Sequence, residues 1–177
     1  MYIEEIKVPK DRIAVIIGKS GETKTELEET TKCSINVDSV EGDVKVSSEN
    51  SIDIFVAKDV IKAIARGFNP EIAKKLVDDT YAFQLITLND YSPHKNHQER
   101  LKGRVIGRDG KARNLIEEYT ECSISVYGKT VGIIGKAENV QIAYKAVDSL
   151  LGGSPHAFVY KWLEKQRALM VQDQSPF

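Results

Sequence analysis

The chain has 177 residues, 41% of them hydrophobic, which is enough for one sizeable core or two small ones. Its net charge is −1, but the charge is unevenly distributed, because residues 1–80 carry 12 basic and 16 acidic side chains and residues 81–177 carry 13 and 10. No apolar run approaches the roughly 20 residues of a membrane span, and residues 1–9 lack signal-peptide character, so we expect a cytoplasmic protein without a membrane partner.

The first half of the chain predicts strands and helices in the order β-α-α-β-β-α. The strand-like apolar run at residues 52–56 predicts a strand, and the spacing of Val60, Ile61 and Ile64 predicts a closing helix over 58–68. A shorter stretch at 44–46 is a second candidate for a returning strand, so the pairing in this region stays open. The other predicted elements are a strand at 2–8, helices at 12–17 and 22–31 around a Gly-x-x-Gly turn at 18–21, and a strand at 34–40.

The second half repeats this order after a short helical connector, in which Asn69 is the predicted N-cap and Pro70 the first helical residue. Its predicted elements lie at 83–88, 98–106, 111–120, 122–126, 131–134 and 137–151, with a Gly-x-x-Gly turn at 107–110. A last helix at 156–169 has a wide apolar face made by Phe158, Val159, Trp162 and Leu163. We expect this face to pack across the two domains and residues 172–177 to be disordered.

A segment of the first half recurs in the second half, 89 positions later, where residues 104–126 match residues 15–37. The identical positions, numbered in the first copy, are Ile17, Gly18, Gly21, Glu28, Glu29, Thr31, Cys33, Ser34, Ile35 and Val37. A third Gly-x-x-Gly at 132–135 has an apolar middle and lies in a strand-like run, so we interpret it as structural. The two repeated turns with their flanking helices are therefore the functional candidates.

The composition of the repeated turns favours contact with a sugar-phosphate backbone. Glycine accepts positive φ and has no Cβ, so a ligand backbone can approach the main chain closely. The helix that follows each turn directs unpaired N–H groups toward the same place, and Lys19 or Arg108 adds a positive charge there. The second turn lies in a basic segment, since seven basic and two acidic residues fall between 95 and 113.

An Ile-Gly-x-x-Gly turn between two short helices, followed by a β-branched strand, resembles the KH domain, whose loop clamps about four nucleotides. Two copies in one short chain, joined by Ala-Arg-Gly-Phe at 65–68, are similar to the archaeal two-KH-domain proteins related to the eukaryotic pre-ribosomal factor known as dimethylase-interacting protein. The resemblance covers residues 2–151. It implies an α+β fold with two tandem type I KH domains, each a three-stranded sheet with helices on one face, plus a C-terminal helix.

The implied domain boundaries are 1–68 and 81–152 for the two KH domains, 69–80 for the connector and 153–177 for the C-terminal helix and tail. The implied function is binding of single-stranded RNA in small-subunit ribosomal RNA processing, near the 3′ end of that RNA. An assembly endonuclease and the alpha subunit of a translation initiation factor are the implied protein partners. The alternative is a protein-interaction scaffold that uses the acidic first domain and the aromatic tail helix.

The candidate RNA-binding residues surround the two turns. Those of the first domain are Gly18, Lys19, Ser20, Gly21 and Lys24, and those of the second are Arg104, Gly107, Arg108, Asp109, Gly110, Lys111, Arg113 and Ile124. The RNA is expected to lie over an aliphatic groove made by Val105, Ile106, Ile116 and Ile124, with the turn holding its backbone. Asp109 repels phosphate, and Arg108 offsets that repulsion.

Catalytic and metal-binding patterns are weak in this sequence. No serine, histidine and acid form a nucleophile motif, so we expect no enzyme activity and no cofactor. His94 and His97 have helical spacing but lack a third ligand nearby, which argues against a metal. Cys33 and Cys122 occupy the same repeat position and are expected to be buried thiols.

Overall fold

The computed structural model describes residues 1–174, and the chain forms two compact units, Met1–Phe83 and Gln84–Phe177. The elements of the first unit are β1 (Tyr2–Lys7), α1 (Lys10–Ile17), α2 (Glu22–Thr31), β2 (Ser34–Asp38), β3 (Asp43–Ser48), α3 (Ser51–Ala65) and α4 (Pro70–Ala73). Its sheet has the order β1-β3-β2, with both pairings antiparallel. This is the predicted β-α-α-β-β-α order.

The strand predicted at 52–56 is wrong, because these residues form the first turns of α3. The Asn50 side chain accepts a hydrogen bond from the Ile52 backbone N–H and so caps the helix at its start. The third strand is instead β3, which lies in the middle of the sheet and pairs Val44 with both Ile6 and Val37. Leu27, Val44, Val46, Ile61 and Ile64 are among the fully buried residues of this unit's core.

The second unit repeats the architecture. Its elements are β4 (Tyr81–Thr87), which begins three residues before the unit boundary, α5 (Lys95–Ile106), α6 (Lys111–Thr120), β5 (Ser123–Tyr127), β6 (Thr130–Lys136), α7 (Ala137–Leu151) and α8 (His156–Asp173), with the sheet order β4-β6-β5. Helix α7 has the predicted bounds, whereas α5 begins three residues before the predicted start. Asn69 and Pro70 hold the predicted positions at the start of α4, where the Asn69 side chain accepts from the Glu71 N–H.

Helix α8 packs onto α6 and α7 of its own unit. Val159 and Leu163 are buried there, but Phe158 is 65% exposed, so the apolar face is narrower than predicted. The helix continues to Asp173, which corrects the predicted disorder at 172 and 173, and residues 175–177 of that predicted tail lie outside the described residues. No helix within the described residues is both long and apolar enough to cross a membrane.

Candidate nucleic-acid interface

The two Gly-x-x-Gly turns have the same backbone conformation. The first glycine, the third residue and the second glycine have φ values of 71°, 54° and 76° at Gly18, Ser20 and Gly21. The corresponding values in the second turn are 75°, 55° and 78° at Gly107, Asp109 and Gly110. Each turn is a short 3₁₀ segment between two α-helices, so both units hold the same loop geometry ready for a ligand.

The two glycines of a turn face different surroundings. A Cβ on Gly107 would lie 2.7 Å from the backbone nitrogen of Ala112, and one on Gly18 would overlap the side chain of Thr23. A Cβ on Gly110 would meet nothing closer than 3.7 Å, and one on Gly21 nothing within 4 Å. The first glycine therefore allows the chain to pass closely over the following helix, and the second leaves open surface where a sugar-phosphate backbone can approach.

The charges around the two turns differ, although the backbones match. Lys19 and Arg108 are both exposed at the second position of their turns. Arg100 and Lys111, which flank the second turn, stand at the repeat positions of Asp11 and Glu22. The second turn is thus flanked by cations where the first is flanked by carboxylates.

Lys24 and Arg113 occupy equivalent positions, and each forms an ion pair with the glutamate four residues later. The distances are 3.8 Å to Glu28 Oε1 and 3.6 Å from Arg113 Nε to Glu117 Oε1. Each glutamate also accepts a backbone N–H of the following strand, from Ile35 at 2.8 Å and from Ile124 at 3.3 Å. The repeated glutamates therefore connect helix to strand in both units. Partial burial raises the pKa of Glu117, against the opposing effects of the Ile124 N–H and Arg113.

The Arg104 side chain has a structural role in its own unit, and its predicted phosphate contact stays a prediction. Its Nε donates to the Leu150 carbonyl at 2.8 Å, and its Nη2 donates to the Ser154 carbonyl. Arg12 makes the corresponding fork in the first unit, donating to the carbonyls of Ile64 and Phe68 at 2.8 and 2.9 Å. The sequence did not predict either pair of arginine hydrogen bonds. Arg12 and Arg104 do not occupy the same repeat position but stand one helical turn apart in the repeat alignment, so the repeat gave no sign that they have the same role.

Most of the predicted aliphatic groove is core. Val105 and Ile116 are fully buried and Ile124 is only 6% exposed, so these side chains offer little surface to a base, and the predicted contact of Ile124 with RNA stays a prediction. Ile106 alone of the four predicted groove residues is partly exposed. The surface near the second turn is accordingly more polar than predicted, and its chemistry comes mainly from the turn backbone and from Arg108, Lys111 and Arg113.

Cys33 and Cys122 are buried free thiols, as predicted. Burial raises the pKa of Cys122 to about 11, which keeps this thiol neutral. Within residues 1–174, no group of three or more His, Cys, Asp and Glu side chains is placed to hold a metal ion.

Comparisons with known proteins agree with this geometry. A KH domain model matches residues 3–66, and a model described as a eukaryotic type KH-domain (KH-domain type I) matches residues 82–168. A KH domain-containing protein of Methanocaldococcus jannaschii is 46% identical over 169 residues, covering 93% of this chain and 74% of that protein. The crystal structure of an a/eIF2alpha–aDim2p–rRNA complex from Pyrococcus horikoshii OT3 matches with a TM-score of 0.87 at 43% identity, covering 94% of each chain.

The chain belongs to the archaeal two-KH-domain family of Dim2p. The predicted family and the predicted fold of two type I KH domains are both confirmed. The chain is also similar to the pre-rRNA-processing protein pno1 of Aspergillus oryzae, with 34% identity over 119 residues. That match covers 65% of this chain and 45% of the fungal protein, so this chain spans less than half of the fungal relative.

Proposed function

We propose that this protein binds single-stranded RNA through the second turn and acts in small-subunit ribosomal RNA processing, near the 3′ end of that RNA. The observation that carries the proposal is the second turn itself, with open surface at Gly110 and exposed Arg108 and Lys111 beside it. Phosphate groups are recognised by backbone N–H groups and cations arranged in this way. The rRNA in the Pyrococcus horikoshii complex and the pre-rRNA-processing name of the fungal relative support the same function.

The residues near the second turn have different roles in RNA binding. The backbone of the turn and Arg108 contact the RNA phosphates, with Lys111 and Arg113 on the helix that follows. Asp109 is exposed between Arg108 and Gly110, and the neighbouring cations offset its repulsion of phosphate. The first turn, including Lys19, Ser20 and Lys24, contributes less, because Asp11 and Glu22 flank it.

The proposed partners of this protein are taken from those of its relatives. The Pyrococcus horikoshii complex contains the initiation factor subunit a/eIF2alpha together with rRNA, and we extend both partners to this chain. We further propose that the protein binds RNA in the cytoplasm and does not act as an enzyme. The relatives are described as RNA-binding or pre-rRNA-processing proteins. The assembly endonuclease implied by the family resemblance stays a prediction.

The experiment compares two matched variants, Arg108→Asp and Lys19→Asp, for affinity toward a short single-stranded RNA with the small-subunit 3′-end sequence. Both side chains are exposed at the same turn position, so neither change disturbs the core. We expect Arg108→Asp to weaken binding by about tenfold or more and to lower the salt dependence, since log K falls by about 0.7 per phosphate contact per decade of salt for single strands. Lys19→Asp is expected to have a small effect.

Equal losses in the two variants would assign RNA to both turns. A wild-type protein that binds no RNA at low salt would overturn the proposal in favour of the protein-interaction scaffold. Salt separates these functions further, because an apolar docking surface does not weaken as salt rises.

A further inference from the structure

A cavity of about 520 Å³ lies between α5, the second turn and the start of α8. The α5 and α6 side of its lining carries the cations Arg100, Arg108 and Lys111, and the α8 side carries His156 and Tyr160. Among the described residues that line it, none is acidic. Its volume lies in the range of small-ligand sites, and its charge suits an anion.

Three of the four cations that line the cavity are available to a ligand, since only Arg104 is engaged by backbone carbonyls. Arg100 and Arg108 are exposed, and neither side chain has an ion-pair or hydrogen-bond partner in the described part of the chain. The Lys111 Nζ lies 5.9 Å from the centroid of the Tyr160 ring, a cation–π distance that leaves its hydrogen-bond donors free for phosphate.

Helix α8 forms one side of the cavity, here called the α8 wall, through His156 and Tyr160. Hydrogen bonds made by two residues hold this wall against α5. Arg104 joins α5 to the end of α7 through the Leu150 carbonyl and to the segment before α8 through the Ser154 carbonyl. The His156 ring at the start of α8 also contacts α5, because its Nε2–H donates to the Arg104 carbonyl at 2.9 Å. The position of Tyr160, one turn along α8 from His156, is therefore fixed before any ligand arrives.

The first unit provides an internal comparison. Asp11 and Glu22 stand where the cavity has Arg100 and Lys111, so the equivalent place has the opposite charge. The helix after α3 is the four-residue α4, whereas α7 is followed by the 18-residue α8. Both the charge and the aromatic wall are thus specific to the second unit, although the turn geometry is shared.

We propose that this cavity binds the phosphate and base of one nucleotide of the RNA, next to the nucleotides held at the turn. Arg100, Arg108 and Lys111 contact the phosphate, and the Tyr160 ring stacks on the base. This inference rests on the proposed RNA binding and adds α8 to the RNA-binding surface.

The test uses the full chain and two single-stranded RNAs, one of about four nucleotides, the length that a KH loop clamps, and one of about eight. We expect Arg100→Gln and Tyr160→Leu each to weaken binding of the longer RNA by about fivefold, with little effect on the shorter one. Tyr160→Phe keeps the aromatic ring and is expected to bind like the wild type. Lys165→Gln, which removes a charge on α8 outside the cavity, is the matched control.

Urea denaturation followed by Trp162 fluorescence checks that α8 stays folded in each variant. If Arg100→Gln and Tyr160→Leu bind the longer RNA like the wild type while Arg108→Asp binds more weakly, the cavity is not a nucleotide site and the proposed function still holds. Equal losses for both RNA lengths would also overturn the separate site. No RNA binding by the wild type would remove the proposed function and this inference together.

Discussion

The two glycines of a Gly-x-x-Gly turn have different physical requirements in this protein. Gly107 is the residue over which the chain approaches the backbone of Ala112, whereas Gly110 faces open surface. Both adopt positive φ, at 75° and 78°. The first is thus required by packing as well as by conformation, and the second by conformation alone.

We expect Gly107→Ala to lower the free energy of unfolding by about 2–5 kcal/mol, because backbone strain adds to a Cβ placed against the Ala112 backbone. Gly110→Ala is the matched control, and its left-handed conformation alone costs about 1–2 kcal/mol. Urea denaturation of the two variants measures the difference. Equal losses would show that the start of α6 shifts easily and that the close approach at Gly107 carries no strain.

The sequence predicts the conformation of the turn better than the direction of its side chains. Positive φ at the glycines follows from their spacing between two helices, and the structure has it at all four. The long side chain of Arg104 could extend toward solvent or fold back along its helix, and only the positions of Leu150 and Ser154 decide between these directions. Tertiary contacts of this kind leave no periodic signal in a sequence.

At the scale of elements, α3 shows why a short apolar run misled the prediction. Residues 52–56 are apolar apart from Asp53 and are rich in β-branched side chains, but Ile54, Ala57, Ile61 and Ile64 are buried at helical spacing. The Asn50 cap and Asp53 in the first turn also favour a helix. A short apolar, β-branched segment is compatible with either a strand or a helix. The capping residue outside the segment is therefore the signal that distinguishes the two.

The arginine forks join the elements of each unit, and the second fork is open to a direct test. We expect Arg104→Ala to lower the free energy of unfolding by about 2–4 kcal/mol, since it removes two hydrogen bonds from a charged donor. Trp162 is the single tryptophan and lies on α8, so its fluorescence during urea denaturation reports on this region.

Arg100→Ala removes an exposed arginine from the same helix and is expected to change stability by less than about 0.5 kcal/mol. A loss in Arg104→Ala no larger than in Arg100→Ala would mean that water replaces the fork without penalty. Arg104→Lys is expected to keep only part of the stability, because an ammonium group does not reach two carbonyls as a guanidinium fork does.

At the scale of the whole molecule, the two units share one backbone and differ in charge. The excess of acids over residues 1–80 and of bases over 81–177 is visible in the composition, and the repeat alignment places two of the charge exchanges beside the turns. Glu22 and Lys111 each begin the helix after their turn. Two copies of one fold can therefore have different ligands through a few exposed side chains.

This separation of fold from charge predicts a gain of function. In an Arg108→Asp background, where binding at the second turn is weakened, we expect the added change Glu22→Lys to recover part of the lost affinity at low salt. The introduced ammonium group then joins those of Lys19 and Lys24 around a backbone that already matches the second turn. The affinity for the short rRNA sequence, measured over a salt series, is the readout.

Glu29→Lys in the same background is the control, because it reverses an exposed charge on α2 about two turns further along the helix. If it restores as much binding as Glu22→Lys, net charge alone attracts RNA to the first unit and the turn has no special part. If neither change restores binding, the shared backbone is insufficient and the second unit binds RNA through surfaces that the first lacks. The α8 wall is the first such surface to examine, since α4 provides no equivalent of Tyr160.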